Sequence, residues 1–274
     1  MKKFIICFVL IASVLALTAC LNNGGPSVDQ CWAAKETLVY SIYDASKGGA
    51  KVGDATFDLI TKENFTEEDK AAQKDADTKV VSTFNIGDKV TTTTYYAKIY
   101  RPLSLKRVYT DASEPKNDYT LTAHHDGKNY VYDLSYPNAA EKSKNGKINV
   151  GSTGYSDNEF MYYYMRCYDL ASTAPAAFTV ADPSTDSAVK LACSIGAKNV
   201  TINAETTKLN AVSCIEVNVR RSETPVGGGL SVYYLPKTKE YTYGQGSMIK
   251  SSGFPVKIVE NNLSFILRDF TPTV

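Results

Sequence analysis

Two adjacent histidines are the first candidates for acid–base or metal chemistry in this chain of 274 residues. His124 and His125 lie in a stretch that predicts a β-strand, where successive side chains point to opposite faces of the sheet. They are therefore poorly placed to bind one metal ion together, and a catalytic role would need carboxylates brought from elsewhere in the chain. We expect a histidine pair at the surface or at a loop edge, with no metal and no cofactor.

Other catalytic motifs find no support. The chain has no Gly-x-Ser-x-Gly sequence, which marks the nucleophile turn of α/β-hydrolases. Gly227, Gly228 and Gly229 are not followed by the Lys-Ser/Thr pair of a phosphate-binding loop, so they predict a flexible turn. The prediction is a protein that is not an enzyme.

The N-terminus carries the most specific chemical signal in the chain. Residues 1–19 combine a basic start with an apolar stretch too short to span a membrane, which is the layout of a signal peptide. The sequence Leu17-Thr18-Ala19-Cys20 resembles the bacterial lipobox. That resemblance implies that Cys20 is joined to diacylglycerol by a thioether, becomes the first mature residue, and is acylated on its amine, for example with palmitate. The alternative is an ordinary secretory cleavage followed by a chance cysteine.

Residues 20–30 predict a flexible tether, because they are rich in Asn, Gly, Pro and Ser. Ten such residues reach at most about 35 Å when stretched. A lipid on Cys20 would therefore hold the following domain close to its membrane. Leu21 is not Asp, and in the sorting rule of enteric-type bacteria this favours the outer membrane, facing the periplasm.

The composition excludes nucleic acid as a partner. Removal of residues 1–19 leaves 28 basic and 29 acidic residues, a net charge of −1. Nucleic-acid binders show a basic patch or stripe instead. The length from residue 31 to residue 274 predicts one large β-rich domain, and the surplus of Tyr, 19 residues against 10 Phe, suits strands with one wet face.

Four cysteines remain after the signal peptide and Cys20, in a compartment that permits disulfides: Cys31, Cys167, Cys193 and Cys214. Four cysteines allow three pairings. We favour Cys193–Cys214, because both lie in neighbouring strand-like segments, together with Cys31–Cys167, which would pin the tether to a helix. A zinc site is the weaker alternative, since no short Cys-x-x-Cys pair is present.

Segments rich in β-branched and aromatic residues, separated by turn residues, predict a meander of antiparallel strands from residue 36 to residue 136 and further strands from residue 178 to residue 270. Within the meander, residues 78–86 predict one strand, and residues 46–50 predict a hairpin turn between the strands of residues 36–43 and residues 51–60. Residues 138–149 predict a mobile loop. The fold class is therefore mainly β, with a single large curved antiparallel sheet or half-barrel.

Residues 155–170 break this pattern and predict one helix. Ser156 can cap its start, and apolar residues recur at helical spacing around much of its girth. We expect the sheet to wrap this buried helix. Its cluster of Met and Tyr side chains suits an irregular apolar surface, so the candidate ligand-binding residues are Met161, Tyr164, Met165 and Tyr168. Ordinary core packing is the alternative for all four, and Arg166 should find a carboxylate, a carbonyl or the surface.

Four short segments carry a resemblance to known proteins. Residues 36–40 with residues 52–55, residues 162–166, and residues 254–258 together resemble a family of exported bacterial proteins of unknown function whose fold is similar to the lipoprotein carriers LolA and LolB. Those carriers shelter acyl chains between a bent sheet and helices. The resemblance therefore implies a cavity for a hydrophobic ligand.

Two functions follow as hypotheses. The first is a membrane-anchored envelope lipoprotein that binds a lipid or another apolar ligand and is recognised by an apolar cavity of several hundred Å³. The alternative is a structural or interaction module that docks an envelope protein or a glycan, recognised by a flat exposed Tyr patch without a cavity. An enzyme would require His124 or His125 to converge with acids in a cleft.

Overall fold

The computed structural model describes residues 35–98, 101–151, 162–163, 165–168, 170, 177–206, 208–209, 211–222, 229–236, 240–243, 247–250 and 253–272. Within these ranges the chain is almost entirely β-structure. The strands are β1 Lys35–Asp44, β2 Ala50–Thr61, β3 Thr78–Ile86, β4 Lys89–Lys98, β5 Arg101–Asp111, β6 Tyr119–Asp126, β7 Asn129–Ser135, β8 Lys144–Asn149, β9 Phe178–Asp182, β10 Ser187–Ile195, β11 Val200–Ile202, β12 Val212–Arg221, β13 Leu230–Tyr234, β14 Glu240–Tyr243, β15 Ser247–Lys250, β16 Pro255–Glu260 and β17 Leu263–Pro272.

Helical structure is sparse among these residues. The α-helix α1 covers Glu67–Ala72, and Tyr162 and Tyr163 are also helical. Single 3-10 turns cover Ala45–Lys47, Lys62–Asn64, Pro115–Asn117, Ala140–Lys142 and Met165–Cys167. The predicted fold class, mainly β with one large curved antiparallel sheet, is confirmed.

Fifteen strands form one antiparallel, nearly closed, barrel-like sheet. Its strand order is β8-β7-β6-β5-β4-β3-β2-β1-β17-β16-β13-β12-β10-β9, with β11 paired to β12, while β14 and β15 form a separate hairpin. The strand β1, the first along the chain, therefore lies between β2 and β17, the last along the chain. The pairing of β1 with β17 joins the part of the sheet formed by β1–β8 to the part formed by the later strands.

The interior is filled by one face of each strand. Along β1, Leu38, Tyr40 and Ile42 are buried, and the same alternation continues on β2, β3 and β4. Because side chains of a strand alternate between the two faces, one face of the sheet forms the core and the other meets solvent. The sequence pattern that predicted the strands is therefore also the pattern that places the core.

The two ends of the strand order meet through side chains. Lys144 on β8 donates to the backbone carbonyl of Ser184 at 3.1 Å and pairs with the Asp186 carboxylate at 3.0 Å. Tyr132 on β7 donates its hydroxyl proton to the same carboxylate. Gly146 makes room for this contact, because a Cβ there would lie 2.8 Å from the Tyr132 ring. The contacts of Asp186 thus hold the seam between β8 and the β9–β10 hairpin.

One predicted loop is wrong. Residues 138–149, expected to be a mobile loop, contain a 3-10 turn and the strand β8, which pairs with β7 over its whole length. The segment has the polar, Lys-rich composition with which proteins protect an edge strand from pairing with other chains. It therefore lacks the apolar alternation that would have predicted a strand.

Candidate functional site

A helical segment lies inside the sheet. Tyr162 and Tyr163 are helical, and the 3-10 turn Met165–Cys167 follows them. Its buried side chains are Tyr162, Tyr163, Met165, Arg166, Tyr168 and Leu170. The predicted helix, residues 155–170, is therefore buried in the part that the structure describes; residues 155–161, 164 and 169 of it lie outside that part.

An ion pair ties this segment to β1. Arg166, which is 0% exposed, donates two hydrogen bonds to the Glu36 carboxylate, from Nη1 at 2.6 Å and from Nη2 at 2.9 Å. The guanidinium also lies 5.9 Å from the centre of the Tyr163 ring, within reach of a cation–π interaction. Burial lowers the pKa of Arg166, but the attraction of Glu36 outweighs burial, so the pKa is raised above its ordinary value. Of the three environments expected for Arg166, a carboxylate, a carbonyl or the surface, the structure shows the carboxylate.

Tyrosine hydroxyls anchor the backbone around the segment. Tyr234 donates to the backbone carbonyl of Tyr162 at 3.1 Å, and Tyr40 donates to the carbonyl of Pro255 at 2.7 Å. Burial raises the pKa of both hydroxyls well above the usual value, so both remain neutral donors at any physiological pH. The backbone of Tyr162 is therefore fixed against β13.

Next to this segment lies a half-open cavity of about 510 Å³. Most of the residues that line it are apolar, although polar and apolar atoms contribute almost equally to its exposed wall, and they come from opposite parts of the sheet. Phe84 on β3, Leu121 on β6, Leu191 on β10 and Phe265 on β17 line it, together with Tyr162 from the helical segment. The volume falls within the range of about 300–1,000 Å³ that is usual for small-molecule sites.

Four charged side chains also line the cavity, two of each sign. They are Arg107, Arg221, Asp182 and Glu260. Because the signs balance, the cavity offers no dominant attraction to anions or to cations. Its wall therefore has a larger polar share than ligand pockets usually have.

Two of the charged groups have defined partners. Arg107 donates from Nε to the hydroxyl of Thr93 at 2.9 Å and from Nη2 to the hydroxyl of Tyr95 at 3.2 Å. Asp182 accepts from the backbone N–H of Ser184 at 3.0 Å. Burial raises the pKa of Asp182, but the hydrogen bonds from Ser184 and its neighbour outweigh burial and lower the pKa. Both side chains therefore help to hold the cavity wall in place.

Two of the four predicted ligand-binding residues are buried without lining this cavity, and the other two lie outside the described residues. Met165 and Tyr168 are fully buried in the core, and neither is among the described residues that line the cavity. Met161 and Tyr164 lie outside the described residues. Tyr162, which the candidate set omitted, does line the cavity. The ligand role of the four predicted residues stays a prediction.

Most cavity residues were missed because they come from ordinary strand positions. Phe84, Leu121 and Phe265 are inward-facing residues of β3, β6 and β17, indistinguishable in sequence from any other core residue. The alternation of side chains along a strand predicts that these residues face inward, but it does not predict a cavity next to them. Whether a cavity forms depends on how the sheet closes.

The histidines lie on opposite faces of β6, as predicted. His124 is exposed, whereas His125 is half-buried with its ring edge-on to Tyr130 at 5.6 Å. Burial, assisted by the neighbouring His124, lowers the pKa of His125 to about 4. Neither histidine is among the described residues that line the cavity. Over the same ranges, no three His, Cys, Asp or Glu side chains are grouped so that they could hold a metal ion.

The predicted disulfide Cys193–Cys214 is wrong, because both residues are thiols. Cys193 on β10 pairs with Val219, which lies five residues along β12 from Cys214. At about 3.4 Å per residue the two cysteines are on the order of 17 Å apart, whereas a disulfide needs Cα atoms within about 7 Å. Burial also raises the pKa of the Cys193 thiol to about 12, which suppresses the reactive thiolate.

The other predicted pair, Cys31–Cys167, remains untested. Cys31 lies outside the described residues, and so does the side chain of Cys167. The signal peptide of residues 1–19, Cys20 and the tether up to residue 30 also lie outside them. Within the described ranges, no helix has the length and apolar character needed to cross a membrane.

The chain matches no known protein family and no curated protein. Among solved structures it is similar to a beta-barrel-like protein of the domain of unknown function DUF1849 from Brucella abortus, with 11% identity, a TM-score of 0.48, and coverage of 89% of this chain and 99% of that one. It is also similar to a protein provisionally named a lipoprotein, from Parabacteroides distasonis ATCC 8503, with 11% identity, a TM-score of 0.28, and coverage of 88% and 98%. Neither is named as a LolA or LolB carrier, so that resemblance stays a prediction.

Proposed function

We propose that this chain is a membrane-anchored envelope lipoprotein that binds a lipid or another apolar ligand inside its barrel-like sheet. The cavity of about 510 Å³ carries this proposal. It has the size that the first functional hypothesis required, and most of the residues that line it are apolar. It also adjoins the helical segment that the sequence had singled out.

The alternative interaction module receives less support from the tyrosines. Tyr109, Tyr119 and Tyr136 form a ladder across β5, β6 and the end of β7, with ring centres 5.2 Å and 5.7 Å apart. All three are half-buried rather than flatly exposed. Their rings also cover one another, which leaves less ring surface for a glycan or a protein partner.

The anchor is tested separately from the cavity. Mass spectrometry of the intact protein, purified from its native membrane, should show an acyl modification on Cys20 and the absence of residues 1–19. A Cys20→Ser variant should lose the acyl mass and leave the membrane fraction. An unmodified Cys20 in the membrane-bound protein would overturn the anchor.

The cavity is tested by filling it. Leu121→Trp replaces a buried Leu side chain in the cavity wall with the larger indole ring. The control variant Val108→Trp adds the same ring to the outer face of β5, where Val108 is 37% exposed. Loss of two buried methylene contacts alone lowers affinity about tenfold. We expect Leu121→Trp to lose lipid retained in native mass spectra by about that factor, and Val108→Trp to retain it. Equal retention in both variants, or no retained lipid in the parent chain, would refute the proposed function.

A further inference from the structure

Tyr162 separates two spaces inside the sheet. On one side is the cavity of about 510 Å³, and on the other is a narrow apolar crevice with no room for a water molecule. The crevice is lined by Leu38, Tyr40, Phe57, Tyr162, Tyr163, Pro255 and Ile258. Of the residues that the structure describes, Tyr162 alone lines both spaces.

The crevice continues the cavity along the interior of the sheet. Phe265, in the cavity wall, pairs with Ile42 on β1. Tyr40 and Leu38, in the crevice wall, are the next two inward-facing residues of the same strand. A straight apolar chain that entered the cavity and passed Tyr162 would therefore run along β1 towards Leu38.

The ring of Tyr162 is held in this position from two sides. Its backbone carbonyl accepts the hydrogen bond from Tyr234, and its ring packs edge-on to Phe57 with centroids 6.3 Å apart. The single polar wall atom of Tyr40, its hydroxyl, is already bonded to Pro255. Tyr163 also lines the crevice, and its buried hydroxyl has no hydrogen-bond partner among the described residues, so the space beyond Tyr162 offers apolar contacts and one unpaired hydroxyl.

We propose that Tyr162 determines the length of the apolar chain that this protein accepts, by closing the inner end of the cavity. This inference rests on the proposed function, since it names which ligands the same site selects. Chains that end before the Tyr162 ring gain affinity with each added methylene, about fourfold per group. Chains that would reach past the ring gain nothing, because their extra methylenes remain outside.

The test is a chain-length series. A homologous set of straight-chain fatty alcohols, from octanol to hexadecanol, displaces a polarity-sensitive naphthylamine dye from the purified full chain. Cys20→Ser is included in every variant, so that no acyl anchor of the chain itself can enter the cavity. In the parent protein, affinity should rise with chain length and then level off at a defined length.

The variants move this limit in opposite directions. In Tyr162→Ala and in the milder Tyr162→Leu, the longest chain that still gains affinity should be longer by about two to four methylene groups, because that is the volume of the side-chain atoms removed. Tyr162→Trp should shorten it. The matched control is Tyr163→Leu, since Tyr163 is equally buried and lines the crevice but not the cavity. Its limit should equal that of the parent.

The outcomes distinguish a failure of the role of Tyr162 from a failure of the proposed function. An unchanged limit in Tyr162→Leu and Tyr162→Trp would overturn the role of Tyr162 even if Tyr162→Ala fails to fold. A shift of the same size in Tyr163→Leu would overturn it as well, because general loosening of the core would then explain both. If the parent protein binds none of the alcohols, the proposed function itself fails, which is a different outcome from binding with a limit that Tyr162 does not move.

Discussion

Breaking the buried ion pair should be the most damaging single change to the fold. Arg166→Met would leave the Glu36 carboxylate, 3% exposed, without the two hydrogen bonds that it receives at 2.6 Å and 2.9 Å. Two opposite charges about 4 Å apart attract each other by about 4 kcal/mol at an effective dielectric constant of about 20. Removing one partner of a buried pair typically costs about 3–5 kcal/mol. We therefore expect the free energy of unfolding to fall by about 4 kcal/mol.

A double-mutant cycle measures this value. Arg166→Met, Glu36→Leu and the double variant would be unfolded in urea and followed by circular dichroism. The double variant should be less destabilised than the sum of the single variants by about 3–4 kcal/mol, because it leaves no buried charge. A loss below about 1 kcal/mol in Arg166→Met, or additive single effects, would refute the claim that this pair holds the helical segment against β1.

Two further predictions concern acid stability and the seam. Because His125 has a pKa of about 4 in the folded chain and an ordinary value of 6.5, the unfolded chain binds more protons between these pH values. Stability should therefore fall by about 2–3 kcal/mol as the pH drops from 6.5 to 4, and His125→Phe should remove most of that loss in pH-dependent urea unfolding. Gly146→Ala should displace the Tyr132 ring from Asp186, since its Cβ would lie 2.8 Å from that ring. We expect a loss of about 1–2 kcal/mol in thermal unfolding.

Each of these predictions has a matched control. His124→Gln changes the exposed neighbour and should keep most of the acid loss, so an equal reduction in both histidine variants would contradict the assignment to His125. Gly146→Ala should be nearly harmless in a Tyr132→Leu background, which lacks the ring that the new Cβ meets. An unchanged penalty in that background would mean that the backbone of β8, not the seam contact, is the cause.

Much of the strand structure was predictable, because it depends on neighbouring residues. The bounds predicted for β3, residues 78–86, are those of the structure. Gly48 and Gly49 both adopt positive φ in the turn between β1 and β2, where the sequence predicted a hairpin. In contrast, β8 was missed, since an exposed polar edge strand carries no apolar alternation.

The sequence predicted the type of site but not most of the residues that line it. A Tyr-rich buried segment beside an apolar cavity was expected, and Tyr162 lies at that place. The residues on the opposite walls could not be chosen from the other inward-facing residues. The wrong pairing of Cys193 with Cys214 has the same origin, since neighbouring strands need not bring two given residues level with each other.

The sequence by itself determined most of the strands and which side of each of them faces inward, while the signal peptide of residues 1–19 and the lipid on Cys20 stay predictions. These features depend on local order and on the two-residue period of a strand. Only the tertiary structure decided that Glu36 meets Arg166, 130 residues away, and that a cavity remains open beside Tyr162. Strand register and closure of the sheet set those distances, and they are fixed by all the pairings together rather than by any one segment.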